Sequence, residues 1–175
     1  MLTIDPKIEK TSIVHKYILG AVAPRPIAFA STIDNDGNLN LSPFSFFNAF
    51  SANPPILIFS PARRVRGNTI KHTLENVLEN KEVVIGIVTA EMAQQVSLSS
   101  CDFEKGVNEF EKAGFTPVKS EKVSPFRVKE SPVNFECKVN EVIALGKEGG
   151  AGNLVICEVL KIHIDESILD SEKNI

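Results

Sequence analysis

The sequence predicts a mainly β fold with a few helices. An Asp36-Gly37 pair separates two extended runs, and glycine accepts the positive φ that a tight hairpin turn requires. Residues 133–145 alternate between apolar and polar side chains, as in a long half-buried strand with Cys137 and Ile143 on its apolar face. Residues 154–164 are apolar on both parities, which predicts a strand buried on both faces. About six strands, mostly antiparallel, are expected with about three helices, as a barrel or as a two-sheet sandwich.

The other elements follow from local patterns. Residues 69–80 repeat apolar side chains at helical spacing, and Asn68 is the predicted N-cap. Shorter helices are predicted at 90–100 and 107–113, the second ending at Gly114 as a C-cap. The further predicted strands are 27–33, the run after Gly37, 56–60 and 83–88.

The composition is that of a globular chain. Of 175 residues, 43% are hydrophobic and 23% are charged, which argues against disorder. The net charge of −3 gives no support for a general nucleic-acid binder, and no apolar run approaches the roughly 20 residues of a membrane helix. The first ten residues predict no signal peptide, and three cysteines without a CxxC pair favour a reduced compartment. We expect one cytoplasmic domain over residues 1–175, with neither nucleic acid nor membrane as partner.

One candidate site is the segment Ser42–Asn48, which combines hydroxyl groups, three phenylalanines and an amide. A bound aromatic heterocycle needs a planar apolar wall and a few placed hydrogen-bonding groups. Phe46 and Phe47 are consecutive, so on an extended chain they point to opposite faces. One can belong to the core while the other faces a pocket or a partner. The alternative is that all three aromatic rings are simply core.

A second candidate site is the stretch Ser60–Asn68, which holds three arginines within four positions before a predicted helix. Arginine side chains, hydroxyl groups and the free N–H groups of a helix N-terminus together bind phosphate well. Lys71 and Thr73 extend this polar surface. The alternative is a solvated charged loop.

Other polar groups are expected to be structural. The glycines at 149–152 lie between two strands rather than between a strand and a helix, so they predict a hairpin and not a dinucleotide site. Glu136 and Glu158 are predicted to be buried carboxylates that need a partner. Core or interface positions are expected for His163, Cys137 and Cys157.

A set of short motifs runs in order from about residue 20 to 164. The motifs are Arg25-Pro26-Ile27-Ala28, Ser31-Thr32, Asp36-Gly37, 40–48, Pro54-Pro55, Phe59-Ser60, 71–76, Gly106-Val107, Ala113-Gly114 and 130–139. Together they resemble the flavin reductase-like, FMN-binding split-barrel proteins, including flavoredoxin-type members. His72 departs from the pattern, since that family often has Asp at this position.

The resemblance implies a six-stranded, antiparallel split β-barrel with Greek-key character, forming a homodimer with FMN near its interface. It also implies an NAD(P)H-dependent flavin reductase-type oxidoreductase, with NAD(P)H as a candidate electron donor. The alternatives are an electron-carrier flavoprotein or another split-barrel chemistry, such as pyridoxal-phosphate oxidation or haem handling. The residues implied at the flavin ring are Ser31, Thr32, Ser45, Phe46, Phe47 and Asn48. Those implied at the phosphate are Ser60, Arg64, Lys71 and Thr73.

Overall fold

The computed structural model describes residues 1–175. Its strands are β1 (Ala28–Ile33), β2 (Leu39–Phe44), β3 (Phe47–Ala52), β4 (Pro55–Phe59), β5 (Glu82–Ile87), β6 (Pro117–Val118), β7 (Arg127–Val128), β8 (Val133–Ala144) and β9 (Asn153–Ile164). Its helices are α1 (Thr11–Ala21), α2 (His72–Asn80), α3 (Ala93–Ser99) and α4 (Glu109–Ala113), with a 3₁₀ turn at Glu166–Ile168. None of these helices has the length and apolar character required to cross a membrane.

Seven strands form one antiparallel sheet in the order β2-β1-β5-β8-β9-β4-β3, and β6 pairs with β7 separately. The two edge strands, β2 and β3, are joined by only Ser45 and Phe46. Three Cα–Cα steps span at most about 11 Å, so the sheet must curl until its edges meet at this corner. The mainly β, antiparallel fold is therefore confirmed, with seven strands in the main sheet rather than six.

The strand of the main sheet that the sequence did not predict is β3, and the two-residue strands β6 and β7 were not predicted either. It is an edge strand, and all its residues except Phe47 are exposed, so it lacks the alternation that marks a half-buried strand. Helix α1 was not predicted either, and none of its residues is buried. Both elements are fixed by their neighbours in space rather than by a local hydrophobic pattern.

Strand β1 separates two hydrophobic cores because its alternate side chains point to opposite faces. Ala28 and Ala30 belong to the core inside the curled sheet, which also contains residues of α2. Phe29 belongs to a second core that packs α3 and α4 against the other face. Cys137 and Cys157 are buried in the first core as predicted, and burial raises the pKa of the Cys157 thiol to about 12. Both thiols are therefore protonated at neutral pH.

One bulge interrupts the alternation of β8. Val139 pairs with Cys157 and Glu141 with Ile156, so Asn140 is an extra residue of β8, and a bulge moves the following side chains to the opposite face. Ile143 is therefore exposed, whereas the sequence pattern places it on the buried face.

The prediction that β9 is buried on both faces is wrong for its second half. Leu160, Ile162 and Ile164 are 44%, 50% and 39% exposed. Ile162 and Ile164 share one face of the strand because they alternate along it, and Leu160 is the extra residue of a bulge next to them, between Val159 and Lys161. The rest of the chain leaves these three side chains partly uncovered.

Two predictions of helix ends have different outcomes. The predicted N-cap Asn68 is wrong, since α2 begins at His72 with Lys71 as its N-cap. Asn68 instead has a φ of 50° and accepts a hydrogen bond from Arg63 Nε at 2.7 Å. Gly114 is confirmed as the C-cap of α4, with the positive φ of 74° that favours glycine.

Glu136 is a fully buried carboxylate that ties the segment before β7 to the sheet. It accepts hydrogen bonds from the backbone N–H groups of Glu121 and Lys122 and lies 2.6 Å from His163 Nε2. Burial alone would raise the pKa of Glu136, but these partners outweigh burial and hold the pKa below its ordinary value. The prediction for Glu158 is wrong, because this residue is only half-buried.

Because its pKa is lower in the folded state, Glu136 stabilises the fold above its unfolded pKa of about 4.3, and this contribution is lost as the pH falls through the folded pKa. We expect Glu136→Gln to lower the free energy of unfolding by about 1–3 kcal/mol at pH 7. The deficit should shrink below about pH 4, where wild-type Glu136 also becomes protonated. Urea denaturation at several pH values measures both effects, and Glu141→Gln on the exposed face of β8 is the control. A deficit independent of pH would contradict the carboxylate's role.

Candidate functional site

The candidate site is built on the loop between β4 and α2, residues 60–71, called here the arginine loop. This loop is fixed to the turn between β8 and β9. Arg63 N–H donates to Ala151 O at 2.8 Å, and Gly150 N–H donates to Arg63 O at 3.0 Å. The side chain of Asn153 donates to Pro61 O at 2.9 Å. These bonds hold the arginine backbone in place although the two segments are far apart in sequence.

The glycine turn is a hairpin, as predicted, and the structure shows why it contains so little side-chain mass. A Cβ at Gly149 would lie 2.8 Å from Val65 Cα, and a Cβ at Gly152 would lie 2.6 Å from Ser60 Oγ. A side chain at Gly149 would therefore push the backbone of the arginine loop away, and one at Gly152 would force the Ser60 hydroxyl to turn aside. The glycines act by permitting close packing and not by binding a pyrophosphate.

A groove of about 650 Å³ opens between the arginine loop, α1 and Phe46. A narrow pocket of about 30 Å³ shares Arg64, Lys71 and Ser100 with it. A third space of about 320 Å³ shares Ser100 and is lined also by Ser45. Shared lining residues make these spaces neighbours, so the groove leads from the cations to the β2–β3 corner.

Cations dominate the main groove. Arg63, Arg64, Arg66 and Lys71 line it, together with a single carboxylate, that of Asp102. Burial lowers the pKa of the Lys71 ammonium, and the nearby Arg64 lowers it further. Positive charges this close repel one another, so the arrangement favours an anionic ligand.

The same end of the groove contains the start of a helix without a side-chain cap. Lys71 is the N-cap of α2 and makes no side-chain capping bond, so the N-terminal end leaves backbone N–H groups unsatisfied. The helix dipole adds partial positive charge there. This geometry supports the anion site predicted from the arginines.

The aromatic segment divides between core and groove. Phe44 is buried, with its ring centroid 5.4 Å from that of Phe59. Phe46 lines the groove, while its neighbour Phe47 packs against the core inside the sheet. His15 of α1 meets Phe46 edge to face at 6.3 Å. The prediction that consecutive rings serve different faces agrees with this geometry.

Thr32 and Thr73 lie in a buried polar network instead of the groove. The amide of Asn40 donates to Thr73 Oγ1 at 2.9 Å and to Thr32 Oγ1 at 3.3 Å. Asn76 also donates to Thr32 Oγ1, at 3.0 Å. Both threonines are at most 1% exposed. The network joins α2 to β1 and β2. It therefore holds in place the helix that begins at the cationic end of the groove.

The structure therefore brings together four of the ten sequence-predicted residues, which are Ser45, Phe46, Arg64 and Lys71. The side chains of the other six do not line these spaces. Ser31 Oγ is buried without a hydrogen-bond partner, and the exposed Asn48 bonds the neighbouring backbone N–H. The remaining four are Thr32, Phe47, Ser60 and Thr73. Contact between any of these six and a cofactor stays a prediction.

Sequence reasoning missed the groove residues of α1 and those that follow α3. Thr11, Ser12 and His15 reach the groove from α1, and Ser100 and Asp102 from the segment after α3. The spacing of apolar residues in α1 was an available signal for the helix, but not for its position. That position depends on a distant contact.

The distant contact is Arg25, whose guanidinium Nη1 donates to the carbonyls of Leu19 and Val22 at the C-terminal end of α1. The same side chain reaches Ser45 Oγ, with Nε 3.5 Å away. A single cation thus connects α1 to the corner between β2 and β3. This connection explains how an unburied helix comes to form one wall of the groove.

Comparison with known proteins identifies the family. The model of the family described as "Flavin reductase like domain" matches residues 20–173. The chain belongs to the flavin reductase-like family. An uncharacterized protein of Aquifex aeolicus is 41% identical to this flavin reductase-like chain over 162 residues, which cover 93% of the chain and 80% of the relative.

Two solved structures extend the comparison. Nitrilotriacetate monooxygenase component B from Bacillus cereus has a TM-score of 0.91 at 31% identity, covering 98% of this chain and 85% of that one. A split-barrel protein from Shewanella frigidimarina has a TM-score of 0.82 at 24% identity, covering 100% and 86%. The fold of this flavin reductase-like chain is therefore a split barrel, which resolves the choice between barrel and sandwich.

Proposed function

We propose that the chain binds FMN in the groove and acts as an NAD(P)H-dependent flavin reductase-type oxidoreductase. The observation that carries this proposal is the continuity between a cluster of four cations and the ring of Phe46. FMN unites the two matching features, a phosphate and a planar ring system. Membership of the flavin reductase-like family supports the same ligand.

The residues present fit such a cofactor. Arg64 and Lys71 would hold the phosphate, because charge-assisted hydrogen bonds are the strong ones for this group. Phe46 offers an apolar wall for the ring, and Ser45 offers a hydroxyl at the β2–β3 corner. Bound flavin supplies the hydride and electron transfer, while the protein binds and orients it. The chain therefore needs no catalytic side-chain base of its own.

The test of the reaction is anaerobic titration of the FMN-loaded protein with NADH and, separately, with NADPH. We expect at least one of them to bleach the flavin absorbance, because a reductase passes hydride from the nicotinamide to the flavin. Bound FMN that neither nucleotide bleaches would contradict the reductase proposal and favour the electron-carrier alternative. A Soret band in the purified protein would indicate haem handling instead.

The phosphate assignment makes a separate prediction. Arg64→Ala and Lys71→Ala should each weaken FMN binding roughly 10- to 150-fold, since a hydrogen bond to a charged group contributes about 1.5–3 kcal/mol. Riboflavin lacks the phosphate, so its affinity should change little. Fluorescence titration measures both ligands.

The matched control is Lys119→Ala, which removes an exposed cation outside the groove. It should leave both affinities unchanged. Equal losses for FMN and riboflavin in the Arg64 and Lys71 variants would show that these residues support the fold of the groove and do not bind the phosphate.

We also propose that the chain works as a homodimer. The partly exposed apolar side chains of Leu160, Ile162 and Ile164 on β9 form a patch that a second copy could cover. Light scattering is expected to give the mass of two chains, which is twice 19.1 kDa. Leu160→Lys combined with Ile162→Lys should reduce this mass to that of a single chain. A wild-type mass of a single chain would contradict the dimer.

A further inference from the structure

The carboxylate of Asp102 is bonded to Arg64 in the place that an anionic ligand would take. Its Oδ1 lies 2.9 Å from Arg64 Nε. The other bonded nitrogen of this guanidinium, Nη1, donates to the carbonyl of Ile70. Arg64 is thus held by the backbone on one side and by a carboxylate on the other.

The two partners differ greatly in exposure. The Arg64 side chain is 21% exposed and the Asp102 side chain is 75% exposed. Asp102 lies just after α3, beside the groove, whereas Arg64 belongs to the arginine loop that the β8–β9 turn fixes in place. The arginine is therefore the fixed partner, and the aspartate is the one that can move into solvent.

Asp102 is also the one carboxylate among the side chains lining the main groove, opposite four cations. Glu109 lines only the neighbouring narrow pocket, where it accepts a hydrogen bond from Leu41 N–H at 3.0 Å. The bond to Arg64 holds the pKa of Asp102 below its ordinary value, so the carboxylate is charged at neutral pH. A full negative charge therefore lies beside the site that we assign to the phosphate.

We propose that Asp102 is a displaceable counter-ion that competes with the flavin phosphate for Arg64 and weakens the retention of FMN. The inference rests on the proposed function, because it assigns the phosphate to Arg64 and Lys71. Asp102 is then the residue that makes bound FMN exchangeable.

Two physical effects act in the same direction. An ion pair whose carboxylate is largely exposed contributes little, so the incoming phosphate can break it. Once displaced, the carboxylate still stands near a dianion, and like charges repel. Removing its charge eliminates both the competition and the repulsion, while the backbone contact at Ile70 still positions Arg64.

The experiment compares wild type with Asp102→Asn and Asp102→Ala. Equilibrium fluorescence titration gives the affinity, and stopped-flow displacement gives the release rate, for FMN and for riboflavin. Both variants should bind FMN about 3- to 10-fold more tightly and release it correspondingly more slowly. Riboflavin affinity should change less than about 2-fold, because riboflavin lacks the phosphate that the carboxylate opposes.

The matched control is Glu104→Gln, which removes one negative charge from an exposed position two residues away and outside the groove. It should change neither affinity nor release rate. Circular dichroism of the variants checks that the fold is intact, which is expected since Asp102 is exposed.

The outcomes separate this inference from the proposed function. Weaker or unchanged FMN binding in both Asp102 variants would overturn the inference, because Asp102 would then position Arg64 or play no part. Equal tightening of FMN and riboflavin would overturn it too, since the effect would not pass through the phosphate. If wild type and variants all fail to bind FMN, the proposed function fails and the inference with it.

Discussion

The docking of the arginine loop on the β8–β9 turn is the contact on which the candidate site depends. Backbone bonds join Arg63 to both Gly150 and Ala151, and the lack of a side chain at Gly149 lets the loop come this close. Hairpin strands of 12 residues each hold the turn rigidly. The cations therefore stand on a fixed support, although they lie on a loop whose side chains are partly exposed.

This support matters because the groove is electrostatically unfavourable on its own. Burial lowers the pKa of Lys71, and the positive charge of the nearby Arg64 lowers it further. A flexible loop would relieve the repulsion by letting the cations move apart. A loop held by backbone hydrogen bonds has less freedom to do so, and the site stays prepared for an anion. Preorganised charge of this kind is what makes a polar site effective.

The sequence predicted the parts of the site that depend on short stretches of chain. The arginines, Lys71 and Phe46 lie within 26 positions of one another, and their chemistry is visible in the residues themselves. The direction of a side chain is harder to predict. Thr32 and Thr73 match the family motif, yet Asn40 and Asn76 hold their hydroxyl groups inside the fold. Motif position alone could not separate a ligand contact from a structural bond.

The fold was likewise predictable where burial leaves a periodic pattern and not where it is absent. Helix α2 faces the core and repeats its apolar residues at helical spacing, and strand β5 is a continuous apolar run that is buried on both faces. Edge strand β3 buries almost nothing, so no period marks it. Helix α1 has apolar residues at helical spacing but buries none of them, so the pattern does not give its position. The bulge of β8 at Asn140 defeats the pattern in another way, because it reverses the parity of residues that still alternate in the sequence.

The groove walls come from segments that the sequence leaves far apart, and this distribution has a mechanical consequence. One wall is the rigid arginine loop, whereas the opposite wall is α1, which has no buried residue and is tied to the β2–β3 corner through Arg25. A helix held by one guanidinium and an edge contact between His15 and Phe46 can shift at little cost, since local stability follows buried contacts. The cationic end of the groove is therefore the stiff end, and the wall formed by α1 is the adaptable one. A ligand gripped at its charged end can then be accommodated at its ring end by movement of a single helix.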